Sequence, residues 1–224
     1  MNASEDSAAT RLHIVQNRIA DAAAIAGRRA DDVTLVAVSK TWNTDDIIPL
    51  LDAGQRVFGE NRVQEAQAKW PSLRATYPDV ELHMVGQLQS NKAAEAVATF
   101  DVIHSVDRSS LIKGLGREMA AQGRTLDCFL QVNIGEEAQK GGCAITDIAA
   151  LRAEAEAAGV PIIGLMAVPP AGVEAAPYFA LLAKLSRDHS LVRISMGMSG
   201  DFETAIMLGA THVRIGSALF GGRA

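Results

Sequence analysis

Two kinds of hydrophobic pattern alternate along the chain. Short apolar runs rich in β-branched residues occur at 33–39 (VTLVAVS), 56–61 (RVFGEN), 80–86 (VELHMVG), 101–106 (DVIHSV), 126–134 (LDCFLQVNI), 161–168 (PIIGLMAV), 191–198 (LVRISMGM) and 212–220 (HVRIGSALF). Several are apolar at successive positions instead of every second one, the pattern of parallel strands covered on both faces. Between them lie stretches with helical spacing and helix start and stop signals. Residues 43–54 open on a Thr/Asp start, carry Ile47, Ile48, Leu50 and Leu51, and stop at Gly54. Residues 62–70 end just before Pro71, 146–159 run from a Thr/Asp start to Gly159, and 199–210 open on Ser199 with acids in the first turn. A further amphipathic helix, 8–26, precedes the first strand.

Repeated β–α units with no Pro/Ser-rich linker predict an α/β fold. The expected architecture is a (β/α)8 TIM barrel forming one domain over 1–224, smaller than the ~250 residues typical of the class. An open doubly wound sheet is the alternative. The barrel carries a functional consequence, because such folds place their sites at the C-terminal ends of the strands and often hold phosphate after strands seven and eight.

Composition narrows the function classes. The chain is 48% hydrophobic and 21% charged, with 21 basic against 26 acidic residues and a net charge of −5. That mild acidity argues against a nucleic-acid partner, which calls for a basic patch or stripe. Cys128 and Cys143 sit in no CxxC or Cys/His cluster and read as reduced thiols. The five histidines are far apart and suggest no metal site. No apolar run approaches the ~18–20 residues that span a bilayer. The polar, acidic N-terminus is unlike a signal peptide. A cytoplasmic protein without membrane contact is expected.

Common signatures fail. The P-loop is absent, GLGREM (114–119) lacks both the third glycine and the preceding strand of GxGxxG, and GMSGD (197–201) lacks the last glycine of GxSxG. Ser199 therefore reads as a helix N-cap or a phosphate contact, not a nucleophile.

What remains lies at the strand ends. Lys40, Asn61, His83, Ser199, Arg214, Gly216 and Ser217 could converge on one rim of the barrel. Lys40 is either a solvated strand-end lysine or an amine kept for chemistry. Asn61 could cap a helix, and His83 could be a satisfied core histidine. Arg214 is harder to set aside, since a guanidinium in a central strand cannot deprotonate and must find acceptors. MGMSGD and RIGSALFGG supply glycines, two hydroxyls and helix-start N–H groups suited to phosphate, provided that Asp201 and Glu203 point away. A lysine, an arginine and a phosphate cradle suggest a phosphorylated aldehyde held as a Schiff base. Pyridoxal 5′-phosphate (PLP) is the natural candidate, and a Schiff-base barrel aldolase would use the same parts.

Taken together, LVAVSKTW, FGENRVQEA, HMVGQLQSNK, IHSVDR, QVNIGEEAQKGG, GLMAVPP, SMGMSGDFETAI and VRIGSALFG resemble the YggS/PROSC family of pyridoxal phosphate homeostasis proteins, in order, over 33–222. The resemblance implies a barrel like the N-terminal domain of alanine racemase, with PLP on a lysine that matches Lys40. The family's asparagine in GEN matches Asn61 and its MGMS serine matches Ser199. Its arginine at the pyridine nitrogen matches Arg214, and IGS supplies Gly216 and Ser217 to the phosphate, a serine standing where many relatives have threonine. Gln87 stands where proline is frequent.

An arginine facing the ring nitrogen can only donate, which weakens the ring as an electron sink. Alanine racemases pair such an arginine with a tyrosine base from a second domain. Here the chain is expected to have no room for that domain, and Tyr77 and Tyr178 fall in peripheral segments. The resemblance thus implies a monomeric PLP carrier or regulator with no catalytic residues, with apo PLP-dependent enzymes as recipients. A weak racemase-like PLP enzyme acting on small amino acids is the alternative.

Overall fold

The successive-apolar runs become strands whose two faces are both covered, one by the barrel interior and one by helices. In the computed structural model, which describes residues 7–221, they close on themselves. Strands β1 (Thr34–Val38), β2 (Val57–Glu60), β3 (Glu81–Met84), β4 (Val102–Val106), β5 (Asp127–Gln131), β6 (Ile162–Met166), β7 (Arg193–Ser195) and β8 (His212–Ile215) pair in chain order, all parallel. The seam is made by β8 returning to β1, with Thr34 opposite His212 and Ala37 opposite Ile215. The (β/α)8 barrel expected from the pattern is the fold.

Helices α1 (Ala8–Ile25), α2 (Thr44–Asp52), α3 (Val63–Thr76), α4 (Ala93–Thr99), α5 (Ser109–Gln122), α6 (Ile148–Ala157), α7 (Ala176–Asp188), α8 (Phe202–Met207) and α9 (Ser217–Phe220) form the outer layer. The main core lies between this layer and the strands. A smaller apolar cluster of Val102, Phe129 and Met166 stands apart from it. The extra helix α1 buries Leu12, Val15, Ile19 and Ala22 at helical spacing and packs on α8 and α9 beside the seam. It is tied down by polar contacts as well: Arg11 Nε donates to the Leu219 carbonyl at 2.7 Å, and Arg28, just past its end, to the carbonyls of Ile206 and Ala210 at 3.1 and 2.8 Å.

Local signals are overridden in three places. Helix α3 continues through Pro71 to Thr76, because Trp70 and Leu73 on either side of the proline are both buried. The run 212–220 is one pattern in sequence but two elements, strand β8 and the short helix α9, divided at Gly216. Helix α8 has Asp201 at its N-cap position but no side-chain cap; the Asp201 carboxylate accepts instead from the Met198 N–H at 2.6 Å, ahead of the helix, so Ser199 is not the N-cap.

The glycines of GLGREM have a packing role. Gly114 and Gly116 are buried within α5, and a Cβ on Gly116 would lie 2.3 Å from the carbonyl oxygen of Ala158 beside α6. Helix propensity alone favours Gly→Ala by about 1 kcal/mol. Steric contact with backbone opposes it, and overpacking costs about 1–3 kcal/mol. Gly116→Ala is expected to lower the urea midpoint of unfolding; a raised midpoint would show that α5 and α6 separate freely.

Candidate functional site

A cavity of about 670 Å³ opens at the C-terminal end of the barrel, within the range usual for small-ligand sites. It lies over the β1–β8 seam. Lys40 follows β1, Asn61 follows β2, Ser199 and Gly200 follow β7, and Arg214, Gly216 and Ser217 come from β8 and the turn into α9. Six of the seven residues singled out from sequence therefore meet here. Val38, Val85, Val168, Met198 and Trp42 supply apolar walls. No acidic side chain lines the cavity among the described residues. At the mouth, Trp42 stacks on Phe220 of α9, with ring centroids 5.3 Å apart.

Arg214 is 6% exposed, and its position in the middle of a strand is explained by two acceptors. Nη1 donates to Ser195 Oγ at 2.6 Å and Nη2 to the Ala167 carbonyl at 3.0 Å. Burial pushes its pKa down to about 10, with Asp201 opposing the shift, so the guanidinium remains charged at neutral pH. It thus presents the cavity with a fixed cation that can only donate.

The turn after β7 owes its shape to Gly197. Its φ is +93°, and a Cβ there would fall 2.6 Å from that of Ala205. Both the left-handed backbone and the close approach require glycine. The acids that could repel an anion are engaged elsewhere. Glu203 pairs with Arg18 of α1 at 2.5 Å, and the Asp201 carboxylate accepts from the Met198 N–H at 2.6 Å. Ser199 Oγ accepts from the Ala218 N–H at 3.4 Å, which joins the β7 turn to α9.

The support beneath Lys40 was not visible in the sequence. Lys69 of α3 is 8% exposed, and its Nζ donates to the carbonyls of Ser39 and Trp42 at 3.0 and 3.1 Å. It also pairs with Glu60 at 2.7 Å and Glu65 at 2.9 Å. Glu65 accepts from the Thr41 N–H, and Thr41 holds φ at +66°. The backbone on both sides of Lys40 is therefore pinned while the exposed side chain of Lys40 stays over the cavity. Glu60, fully buried at the end of β2, also accepts from Ser39 Oγ at 2.7 Å and Trp70 Nε1 at 3.1 Å. Burial raises its pKa, against the pull of Lys69 and these donors. The i, i+4 spacing of Glu65 and Lys69 was the available signal, but it equally fits a solvated helix face.

His83 is not brought to the cavity. It is 1% exposed and lies inside the barrel, with Nε2 2.7 Å from Glu81 Oε1 and Nδ1 2.9 Å from His104 Nε2.

Comparison with known proteins places this geometry among relatives. The family model described as "Alanine racemase, N-terminal domain" matches residues 14–224. The "Pyridoxal phosphate homeostasis protein" of Pseudomonas aeruginosa is 42% identical over 215 residues, covering 93% of each chain. That of Escherichia coli K12 is 37% identical over 227 residues, covering 96% of each. The solved structure of PipY from Synechococcus elongatus, with PLP bound, is 39% identical with a TM-score of 0.78, and the match covers 91% of this chain and 100% of that one.

The cluster under Lys40 makes a stability prediction. Lys69→Met leaves the Glu60 carboxylate buried without its cation, a change that typically costs about 3–5 kcal/mol. The folded-state pKa of Glu60 lies above its unfolded value, so the native state binds the extra proton and stability falls as pH rises through that window. Loss of Lys69 raises this pKa further. The deficit in urea unfolding is thus expected to be largest near about pH 8 and to shrink toward about pH 5 as Glu60 takes up its proton. Equal deficits at both pH values would contradict the assignment.

Proposed function

Because the chain belongs to the pyridoxal phosphate homeostasis protein family and carries the barrel of the alanine racemase N-terminal domain, we propose that it binds PLP through Lys40 and serves the supply of this cofactor. The donor set fits the group. A primary amine, a donor-only guanidinium, two hydroxyls and a glycine-lined turn surround an apolar cavity with no carboxylate side chain among the described residues. These are the partners needed by an aldehyde, an aromatic ring nitrogen, a phosphate and a ring face, respectively.

When bound, PLP supplies an electrophilic aldehyde and a ring able to withdraw electrons. The chain's own residues set limits on both. Lys40 Nζ would hold the aldehyde carbon, its strand tip kept in place from below by Lys69. Ser199, Ser217 and the backbone at Gly216 would hold the phosphate, and Asn61 and the valines would bound the ring. Arg214, which has no lone pair to accept with and no proton to release at neutral pH, would donate toward the ring nitrogen and leave it unprotonated.

The observation that carries the reading is this buried Arg214, pinned by Ser195 and Ala167 and facing the same cavity as Lys40. It favours holding PLP over using it. Tyr77 is turned away to Asp52, at 2.5 Å, and neither it nor Tyr178 lines the cavity. In this reading the protein is a cytoplasmic monomer that passes PLP to apo PLP-dependent enzymes.

Purified protein incubated with PLP is expected to turn yellow and, after borohydride, to carry the cofactor on the peptide containing Lys40. Lys40→Ala should lose the fixed label. Loaded protein should also restore an apo PLP enzyme. A colourless protein indistinguishable from Lys40→Ala would sink the binding reading, and alanine racemisation at an ordinary turnover of about 1–10³ s⁻¹ would sink the homeostasis reading.

A further inference from the structure

The barrel interior holds polar side chains that nothing in the cavity accounts for. His104 of β4 bonds Ser195 of β7 through Nδ1 at 2.8 Å, although these strands are not neighbours, so both side chains project into the interior. Joined to the contacts of His83 and Arg214, they form an unbroken column. It runs from Arg214 Nη1 to Ser195 Oγ (2.6 Å), to His104 Nδ1 (2.8 Å), from His104 Nε2 to His83 Nδ1 (2.9 Å), and from His83 Nε2 to Glu81 Oε1 (2.7 Å). His104, Ser195 and His83 are at most 1% exposed, while Glu81, at the opposite end of the barrel from the cavity, has a half-exposed side chain.

Both ends of the column have a forced polarity. Arginine can only donate, so Ser195 Oγ accepts from it. The hydroxyl's own proton then has one acceptor within reach, His104 Nδ1, and sending it elsewhere would leave a buried donor unsatisfied. At the far end, the half-exposed Glu81 carboxylate is ionised at neutral pH and can only accept, so His83 Nε2 donates. Both constraints point the same way: His104 carries its proton on Nε2 and gives it to His83 Nδ1.

We infer that Ser195, His104, His83 and Glu81 are positioning residues that form a one-way donor chain fixing the guanidinium of Arg214 against the ring nitrogen of PLP. The inference rests on the PLP reading above for its purpose, but not for its polarity. The chain explains how a fully buried cation without a carboxylate partner is accommodated: its charge is relayed through neutral, oriented dipoles to the ionised Glu81. The surroundings keep His104 neutral. Burial holds His104 well below its ordinary range, and the nearby Arg214 cation adds to the effect. His212, whose ring lies 5.9 Å from that of His104, is pushed down to about 3, chiefly by burial, and its Nδ1 is turned to Thr211 Oγ1 at 2.9 Å, outside the column. Phe129 stacks on His104 at 4.4 Å and closes the side of the column with an apolar face.

Two measurements test the chain. Nitrogen-15 NMR of the cofactor-free protein at neutral pH should show His83 and His104 both neutral with the proton on Nε2. A proton on Nδ1 of either ring, or a cationic His83, would overturn the inference whether or not the protein binds PLP. The second is PLP affinity. Ser195→Ala leaves a buried guanidinium donor unpaired and should weaken binding about tenfold or more, by the usual cost of losing a hydrogen bond to a charged group. Ser105, equally buried on β4 but with no hydrogen-bond partner, is the control, and Ser105→Ala should bind as wild type. Equal losses in both variants, or none in Ser195→Ala, would overturn the role of the column. A wild type that takes up no PLP would instead remove the proposed function and leave the polarity to the NMR result.

Discussion

A buried ammonium organises the side of the barrel that carries the cavity. Lys69 brings together the tip of β1, the end of β2 and the first turns of α3, because only there can its charge meet two carboxylates and two carbonyls. Taking such a charge out of water is expensive unless every donor is used. Once it is used, the surrounding backbone has little freedom left, and Thr41 is held in a conformation that a threonine otherwise avoids. Lys40 is flexible as a side chain and fixed as a backbone position, which would suit the amine of the proposed Schiff base.

The interior of the barrel repeats this logic without a second ion pair. Apolar side chains from β4, β5 and β6 fill one part, and an oriented set of hydroxyl, imidazole and carboxylate groups fills another. A wholly apolar interior would leave Arg214 without acceptors. A carboxylate placed directly beneath it would neutralise the cation and compete for the donors that face the cavity. A serine backed by two neutral imidazoles avoids both outcomes, since it accepts one N–H and leaves the charge in place.

The fold was legible because its determinants are periodic. Eight runs apolar at successive positions, spaced by helical patterns, admit few architectures, and the closed barrel follows from their number and regularity. Most of the rim was legible for the same reason: once strand ends are known, Lys40, Asn61, Ser199, Arg214, Gly216 and Ser217 fall on one face. What escaped was whatever depends on side-chain direction across the barrel. His83 stands near a strand end in sequence, yet its ring is drawn inward by His104 and Glu81. Lys69 looks like half of a surface i, i+4 pair, and only the approach of β1 reveals what it holds. Ser199 has the spacing of an N-cap, but the helix begins only after Asp201 and the Ser199 hydroxyl faces the Ala218 N–H. Pro71 reads as a helix stop, yet tertiary burial of Trp70 and Leu73 outweighs it.

The location of the cavity over the β1–β8 seam bears on how the protein assembles. Its amine comes from residue 40 and its guanidinium from residue 214, and the two share a site only through the last strand pairing that closes the ring. Contacts so distant along the chain are slow to form, because closing a long loop costs entropy before any contact repays it. A ligand that touches both sides of the seam binds the closed ring and not the open sheet, and mass action then draws the last step of folding forward. Bound across the seam, PLP would act as a clasp as well as a ligand.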